Sequence, residues 1–493
     1  MTNVTRREFT KLASAAGAGA VLPCWADAPS HMIGIQVGAV SFVDEGVTAV
    51  LDRFQRDAGI NTLFIAAFSY GRGIAGRQVP GQLLPDHGKQ EYDTDFRGGN
   101  FARVHPQYYS GTSLKNIQAT DYGNFDVLGD VLPEARARGM KTICWYEDVF
   151  RRDLEGIERL QEVTLSGHKA TTLCFHNPEV QAFWSGLTED FVRSYPIDGV
   201  MWGSERQGPF GNAIGTSHGG ASHDPEEVTC FCDFCRLEAK ARGINPQRAI
   251  EGYRKLGDLV RASRAGSRPA DGHFISYWRL LVQYPEILAW EKLWNDGLHN
   301  TYANIYRLAK GIRTDTSQPV GVGWHIWHNN SFSPFYRAEQ DYSEFRQYSD
   351  FLKVVVYNNC GGPRLAGYIR NVSGTLFADF SPEEVLNMTY RELNYKEAPL
   401  AELPKRGLSA DYVSRETKRA LAGVAGSVKI WPGIDIDIPT GENEKKTQPE
   451  DVTNAVRAAL TAGADGVILS RKYSEMKLAN LRAAGDAVKQ RVG

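Results

Sequence analysis

The sequence predicts a (β/α)8 barrel, and three observations carry the prediction. Eight short apolar runs recur along the 493 residues, the stretches between them carry amphipathic helical periodicity, and no Gly-rich phosphate loop follows any run. The last point disfavours a doubly wound open sheet, whose first strand-to-helix turn needs such a loop to hold a nucleotide.

The runs follow in order. The first is Ile33 to Phe42 and the second Ile60 to Phe68, each nearly unbroken in apolar residues, as a strand covered on both faces requires. The third, Lys141 to Glu147, and the fourth, Gly199 to Glu205, both end on a carboxylate. Val320 to Trp327, Leu352 to Asn358, Val428 to Asp435 and Asp465 to Ser470 complete the set. Between the third and fourth runs Asn177 is placed to cap a helix, Pro178 suits its first turn, and Val180, Phe183, Trp184, Leu187 and Phe191 recur on one face. A long helix is predicted through Trp290, Trp294 and Tyr306 to Ile312, and a final one around Leu478 to Val488.

Two connections exceed a plain barrel turn. Residues 69–124 follow the second run and are rich in Gly, Tyr, His and Arg, with His87 in Asp86-His87-Gly88. Residues 207–317 follow the fourth and hold a cysteine cluster and a basic linker near Ala262 to Asp271. Long loops at the C-terminal ends of barrel strands build active sites. The barrel uses all of residues 29–493, so one domain with two insertions is expected.

Composition narrows the function classes. A chain 42% hydrophobic and 23% charged, with formal net charge −2, is that of an ordinary globular protein with no basic excess for nucleic acid. Near-neutrality gives no drive toward a strongly acidic polysaccharide either, although Arg97, Arg103 and Arg471 are placed to hold a uronate. Residues 1–28 read as a twin-arginine export signal. Arg6-Arg7 precede a weakly apolar stretch from Leu12 to Leu22, and Ala26-Asp27-Ala28 has the small-x-small form of a cleavage site. Cys24 offers a lipoprotein alternative, but Pro23 before it fits poorly. A periplasmic or secreted protein is expected, with no membrane attachment after cleavage.

The most informative constellation is Cys174, Glu205 and Cys230-Phe231-Cys232-Asp233-Phe234-Cys235. Cys-x-Cys-x-x-Cys with a fourth cysteine upstream has the spacing of a closed tetrahedral thiolate zinc site, a structural one because four thiolates leave no open position. A local disulfide is the alternative, and it strands one thiol. His223 and Asp224 nearby keep a catalytic zinc hydrolase of esters or amides in view.

If the register holds, carboxylates converge at the C-terminal mouth. Glu147 and Asp148 come from strand three, Glu205 from strand four, and Asp435 and Asp437 from strand seven. Trp327 and His328, Tyr357 and Arg471 join them from strands five, six and eight. Paired carboxylates among aromatic walls, without a redox motif, suit cleavage of a glycosidic bond.

The segment Cys174-Phe175-His176-Asn177-Pro178, then Glu205, then the Cys230 to Cys235 cluster resembles the family 42 glycoside hydrolases, the bacterial beta-galactosidases. The resemblance covers about residues 174 to 240. It implies zinc on Cys174, Cys230, Cys232 and Cys235 and the acid/base role for Glu205. The sequence departs from the family in two places: Ser204 stands where an asparagine precedes the acid, and strand seven offers aspartates where the family has a glutamate. The family's trimer and galactose specificity are not implied. The expectation is therefore an exported glycoside hydrolase with structural zinc. Glu205 serves as acid/base and Asp435 as nucleophile or second base, with Asp437 behind it. Glu147 and Asp148 are reserves that line the substrate. Tyr357, Trp327, His328, Arg471 and the His87 loop hold the sugar. A non-catalytic carbohydrate-binding barrel is the other alternative. It would tolerate loss of Glu205.

Overall fold

The computed structural model describes residues 31–218, 224–312 and 319–489. Eight parallel strands form the barrel: β1 (Met32–Gly38), β2 (Thr62–Ser69), β3 (Lys141–Glu147), β4 (Gly199–Gly203), β5 (Gly321–Ile326), β6 (Phe351–Val355), β7 (Lys429–Asp435) and β8 (Gly466–Ser470). Each pairs with its sequence neighbour, and β1 pairs with both β2 and β8, so the sheet closes on itself as a (β/α)8 barrel. The predicted strands match these within a few residues. The first run was expected to continue to Phe42, yet the strand ends at Gly38 and a short helix, Ala39–Glu45, begins. A β-carbon on Gly38 would lie 3.0 Å from the Ala75 backbone, so the chain turns where only glycine allows that approach.

Period-two alternation sorts each strand into an inward and an outward set. Phe64, Ala66, Ile143, Trp145, Met201, Phe351, Trp431 and Ile468 fill the lower interior. Phe351 and Trp431 stack at 4.4 Å, and Phe64 meets both edge-on. Gly323 lets this happen, because a β-carbon there would sit 2.2 Å from the Phe351 ring. The barrel is thus packed below and polar above. Continuing the same parity upward brings Gln36, Glu147, His325, Lys353, Asp435 and Ser470 to the inner face near the C-terminal mouth.

The helices form as their sequence dictates. In α1 (Pro178–Ser194) the Asn177 side chain accepts the Glu179 N–H at 2.9 Å, and all five predicted apolar residues are buried. The long helix α2 (Glu286–Gly311) buries Trp290 and Trp294. After β6, Tyr357 leads into α3 (Asn358–Ser373), which starts where the predicted strand was to end. The second insertion folds largely into helices, and a hairpin of Gln161–Val163 and Lys169–Leu173 rises after β3. Among the described residues no helix is long and apolar enough to cross a membrane. The expected export signal lies outside them.

Candidate active site

Glu147 closes β3, and Glu205 stands two residues past the end of β4, the adjacent strand. The two carboxylates therefore hang over the same edge of the barrel mouth, in opposite surroundings. Burial pushes the Glu147 carboxyl up to about 8, and the charge on Glu205 adds to the rise; Ser69, which donates to Glu147 at 3.2 Å, opposes it. For Glu205 burial also acts upward. It is outweighed by the hydrogen bond from His325 and by the Arg364 charge, which hold the carboxylate well below its usual range. The Glu205 side chain is 52% exposed, so water at the mouth shares in stabilising its charge. Near neutral pH Glu147 keeps its proton and Glu205 has lost its own.

A buried polar chain supports Glu205. His325 Nε2 lies 2.8 Å from Glu205 Oε1, and His325 Nδ1 lies 3.2 Å from Lys353 Nζ. Lys353 also donates to Gln36 Oε1 at 2.5 Å and to the Tyr357 hydroxyl at 2.8 Å. An ammonium has three protons and no lone pair, and here it finds three acceptors. Burial lowers Lys353 to about 7, although the Glu205 and Glu147 charges pull it upward. Burial and the Lys353 charge both lower His325, which is therefore neutral. Gly203 makes room for this ring, since a β-carbon there would sit 2.6 Å from His325 Cβ.

Beside Glu205 opens a cleft of about 450 Å³, lined by Trp327, Gln207, Phe150, Arg152, Thr172 and Thr229 among others. That volume suits one or two small-molecule units. Trp327 forms one wall, with its ring 5.3 Å from both Tyr336 and His218.

Several residues expected at the site have other tasks. Asp148 is 3% exposed and accepts from Ser204 Oγ and Arg206 Nε, each at 2.7 Å, while Arg206 also binds Glu162 at 3.0 Å. Asp435 is fully buried and accepts the backbone N–H groups of Cys360, Ile438 and Asp437 at 2.9, 3.0 and 3.2 Å. It ties the start of α3 to the loop after β7. Asp437 was expected to share its face, but the strand has ended and the backbone turns at φ 122°. Asp437 instead accepts Lys477 N–H at 2.7 Å and Asn480 Nδ2 at 2.8 Å, and it lines a separate cavity of about 410 Å³. Arg471 pairs with Glu475 at 2.8 Å, yet it remains at the site, where its charge acts on the Glu147 carboxyl. His87 contacts Glu45 at 2.8 Å and the Met476 carbonyl at 2.9 Å and stacks on Tyr473, which pins its loop to the segment after β8. Tyr357 joins the chain to Glu205 through Lys353, and His328 meets Arg364; they are buried at 3% and 0% exposure. His223 lies outside the described residues, and Asp224 caps the turn Pro225–Glu227.

Sequence reading missed His325, Lys353 and Arg364. The signal for the first two was present: a histidine and a lysine at inward parity in otherwise apolar strands, Gly-Val-Gly-Trp-His-Ile and Phe-Leu-Lys-Val-Val.

The four cysteines form a cluster at the base of the second insertion. Cys174 Sγ lies 3.5 Å from Cys232 Sγ and 3.6 Å from Cys235 Sγ, and all four sulfurs lie within 4.8 Å of one another, all buried. No two of them are joined as a disulfide. Four sulfurs held about 2.3 Å from a tetrahedral ion would be roughly 3.8 Å apart, so the set is able to hold a metal.

No model of a known protein family matches the chain, and no protein of curated function matches it. Solved structures do. The PgaB (BpsB) glycoside hydrolase domain from Bordetella bronchiseptica is 12% identical with TM-score 0.48, over 94% of this chain and 98% of that one. A chitinase from Bacteroides thetaiotaomicron is 7% identical with TM-score 0.40, over 93% and 96%. A chitinase from Chromobacterium violaceum is 8% identical with TM-score 0.40, over 94% and 98%. The fold assignment rests on the strand order alone.

Proposed function

We propose that this protein is a glycoside hydrolase in which Glu147 is the general acid and Glu205 the ionised nucleophile or base. The observation that carries the reading is two carboxylates at the ends of adjacent strands in opposite surroundings, Glu147 beside one serine hydroxyl and Glu205 held by His325, which favour the neutral form of the first and the charged form of the second. Glu147 gives its proton to the glycosidic oxygen as the bond to the anomeric carbon breaks. Glu205 either attacks that carbon or takes a proton from the attacking water, and His325 holds its carboxylate in place. This exchanges the roles expected from the sequence, where Glu205 was the acid and Asp435 its partner. The bonding of Asp435 to three backbone amides supports the exchange.

Zinc on Cys174, Cys230, Cys232 and Cys235 is part of this reading. When bound it cross-links the start of α1 to the second insertion, and it supplies no chemistry to the sugar. Export by the twin-arginine route, with cleavage after Ala28, and a single catalytic domain over residues 29–493 complete the proposal. The substrate is an oligo- or polysaccharide outside the cytoplasm.

The test is hydrolysis of a panel of aryl glycosides and oligosaccharides by wild type, Glu147→Gln and Glu205→Gln. A loss of about two to four orders of magnitude in each variant supports the assignment. Turnover unchanged by either substitution overturns it.

A further inference from the structure

The mouth contains a cation that makes no ion pair at contact distance among the described residues, although its charge helps keep Glu205 ionised. Arg206, Arg337, Arg419 and Arg471 each pair with an acid within the fold. Arg364, on the second turn of α3 and half-buried, has no carboxylate within ion-pair distance among the described residues. Among the described residues its one hydrogen bond runs from Nη1 to His328 Nδ1 at 3.0 Å. His328 is fully buried, and its other nitrogen lies 3.0 Å from the Tyr412 hydroxyl. Because the guanidinium can only donate, His328 must present a lone pair at Nδ1 and carry its proton on Nε2, toward Tyr412. Burial and the Arg364 charge both push His328 well below its usual range, so the ring stays neutral. The arginine is thus aimed by a neutral ring and forms no ion pair at contact distance, while its charge acts on Glu205 from farther off. Among the described residues four of its five N–H donors are unused.

The position is close to the reacting groups. Arg364 Cζ lies 5.9 Å from the centre of the Tyr357 ring, whose hydroxyl meets Lys353, which in turn meets His325 and so Glu205. His218, whose ring lies 5.3 Å from Trp327 and 5.8 Å from His328, carries the same wall toward the cleft. A planar fork held at one end by His328 and lying over the Tyr357 ring matches a planar carboxylate presented by a sugar.

We propose that Arg364 receives an anionic substituent of the substrate, the carboxylate of a uronosyl unit, and makes the site selective for acidic glycans. The proposal rests on the glycosidase reading for its substrate, but binding tests it independently. A sulfate ester on a neutral sugar offers the same charge in tetrahedral form, and the experiment separates the two.

Calorimetric binding to the full chain would compare an oligouronide, the same oligosaccharide with its carboxylates reduced to alcohols, and a sulfated neutral oligosaccharide. The ligands are offered to wild type, Arg364→Lys and Arg364→Met, with thermal melts confirming that each variant folds. The expected result is that wild type prefers the uronide over its reduced form by about 10- to 100-fold, the scale of one charge-assisted pair. Arg364→Met should bring the ratio of the two affinities to about one, and Arg364→Lys should keep part of the preference. Should Arg364→Met fail to fold, Arg364→Gln takes its place in the same comparison. Equal binding of uronide and reduced ligand by wild type, or equal loss of both in Arg364→Met, overturns the proposal. Preference for the sulfated ligand overturns the carboxylate. Arginine-dependent uronide binding by a protein that cleaves no glycoside sustains the site and removes the hydrolase reading. Cleavage of neutral glycosides with no preference for acid does the reverse.

Discussion

Lys353 Nζ lies 3.2 Å from His325 Nδ1, and this contact decides which way the histidine proton points. An ammonium cannot accept, so Nδ1 must, and the proton is left on Nε2, 2.8 Å from Glu205. A lysine buried on β6 thereby orders a carboxylate beyond the end of β4 without touching it. The same charge lowers the neighbouring Glu147 carboxyl, so both halves of the acid pair depend on Lys353.

Replacing Glu147 should reveal its role through the leaving group. Glu147→Gln is expected to lower kcat/KM by about 10² to 10⁴ on substrates with poor leaving groups, and far less on dinitrophenyl glycosides, which depart without a proton. Glu205→Gln should fail on both. Equal losses on both leaving groups in Glu147→Gln would remove it as the acid.

The pH profile follows from the same groups. Activity needs Glu147 protonated, so the rate of wild type should fall on the alkaline side near pH 8, the value to which its carboxyl is raised. Lys353, brought down to about 7 by burial, is mostly uncharged at that limb, so Lys353→Met should leave the limb near pH 8 while lowering the maximum, because His325 loses its orientation. Stability gives the matching sign. Glu147 is protonated in the folded state up to about 8 and in the unfolded chain only up to the ordinary 4.5, so stability falls as pH rises across that window. The melting temperature of Glu147→Gln should gain on wild type over the same range, and a constant difference would contradict it.

The barrel was legible because its signal is local: eight apolar runs, each with strand length and each followed by a helix pattern. Glu205 was legible for the same reason, at the end of such a run. Its partner was not. Parity places Glu147 and Asp435 on the same inner face, and only the fold reveals that three backbone amides already occupy Asp435 while Glu147 has one serine hydroxyl. The extension of alternation to Asp437 failed because the strand stops at Asp435 and the backbone reverses. His87 and Arg471 were chosen by type and loop position, and each turned out to be matched to a partner far away in sequence or to a neighbouring helical turn. A lone arginine on a helix carries no pattern in the sequence, so nothing there marks Arg364; what distinguishes it in the fold is the lack of an ion pair at contact distance among the described residues.

Asp435 provides a test of these assignments. Asp435→Ala leaves buried amides of Cys360 and Ile438 without an acceptor, at roughly 1–3 kcal/mol for each group left unsatisfied. The melting temperature should drop clearly, and kcat of the protein that remains folded should stay within about tenfold of wild type. Loss of a nucleophile would instead cost several orders of magnitude in kcat with the fold intact. Retained stability with lost turnover would return Asp435 to the chemistry.

The cysteine cluster predicts a structural dependence without a chemical one. Arg206 joins the two regions: its guanidinium binds Asp148 beside Ser204, and it lies over the Phe175 ring next to Cys174. Glu162 accepts from Arg206, Thr229 and Trp294, and the Trp290 indole donates to the Cys230 carbonyl at 3.1 Å. Releasing the thiolates therefore loosens the loop that carries Thr229 and the segment that carries Glu205. Purified protein should contain about one zinc per chain by elemental analysis, and Cys232→Ser should lower both the content and the melting temperature. Turnover in wild type stripped slowly by a chelator should fall in step with the loss of folded protein measured by circular dichroism. Turnover that vanishes while the fold is fully retained would mean that the metal, and not Glu205, performs the reaction.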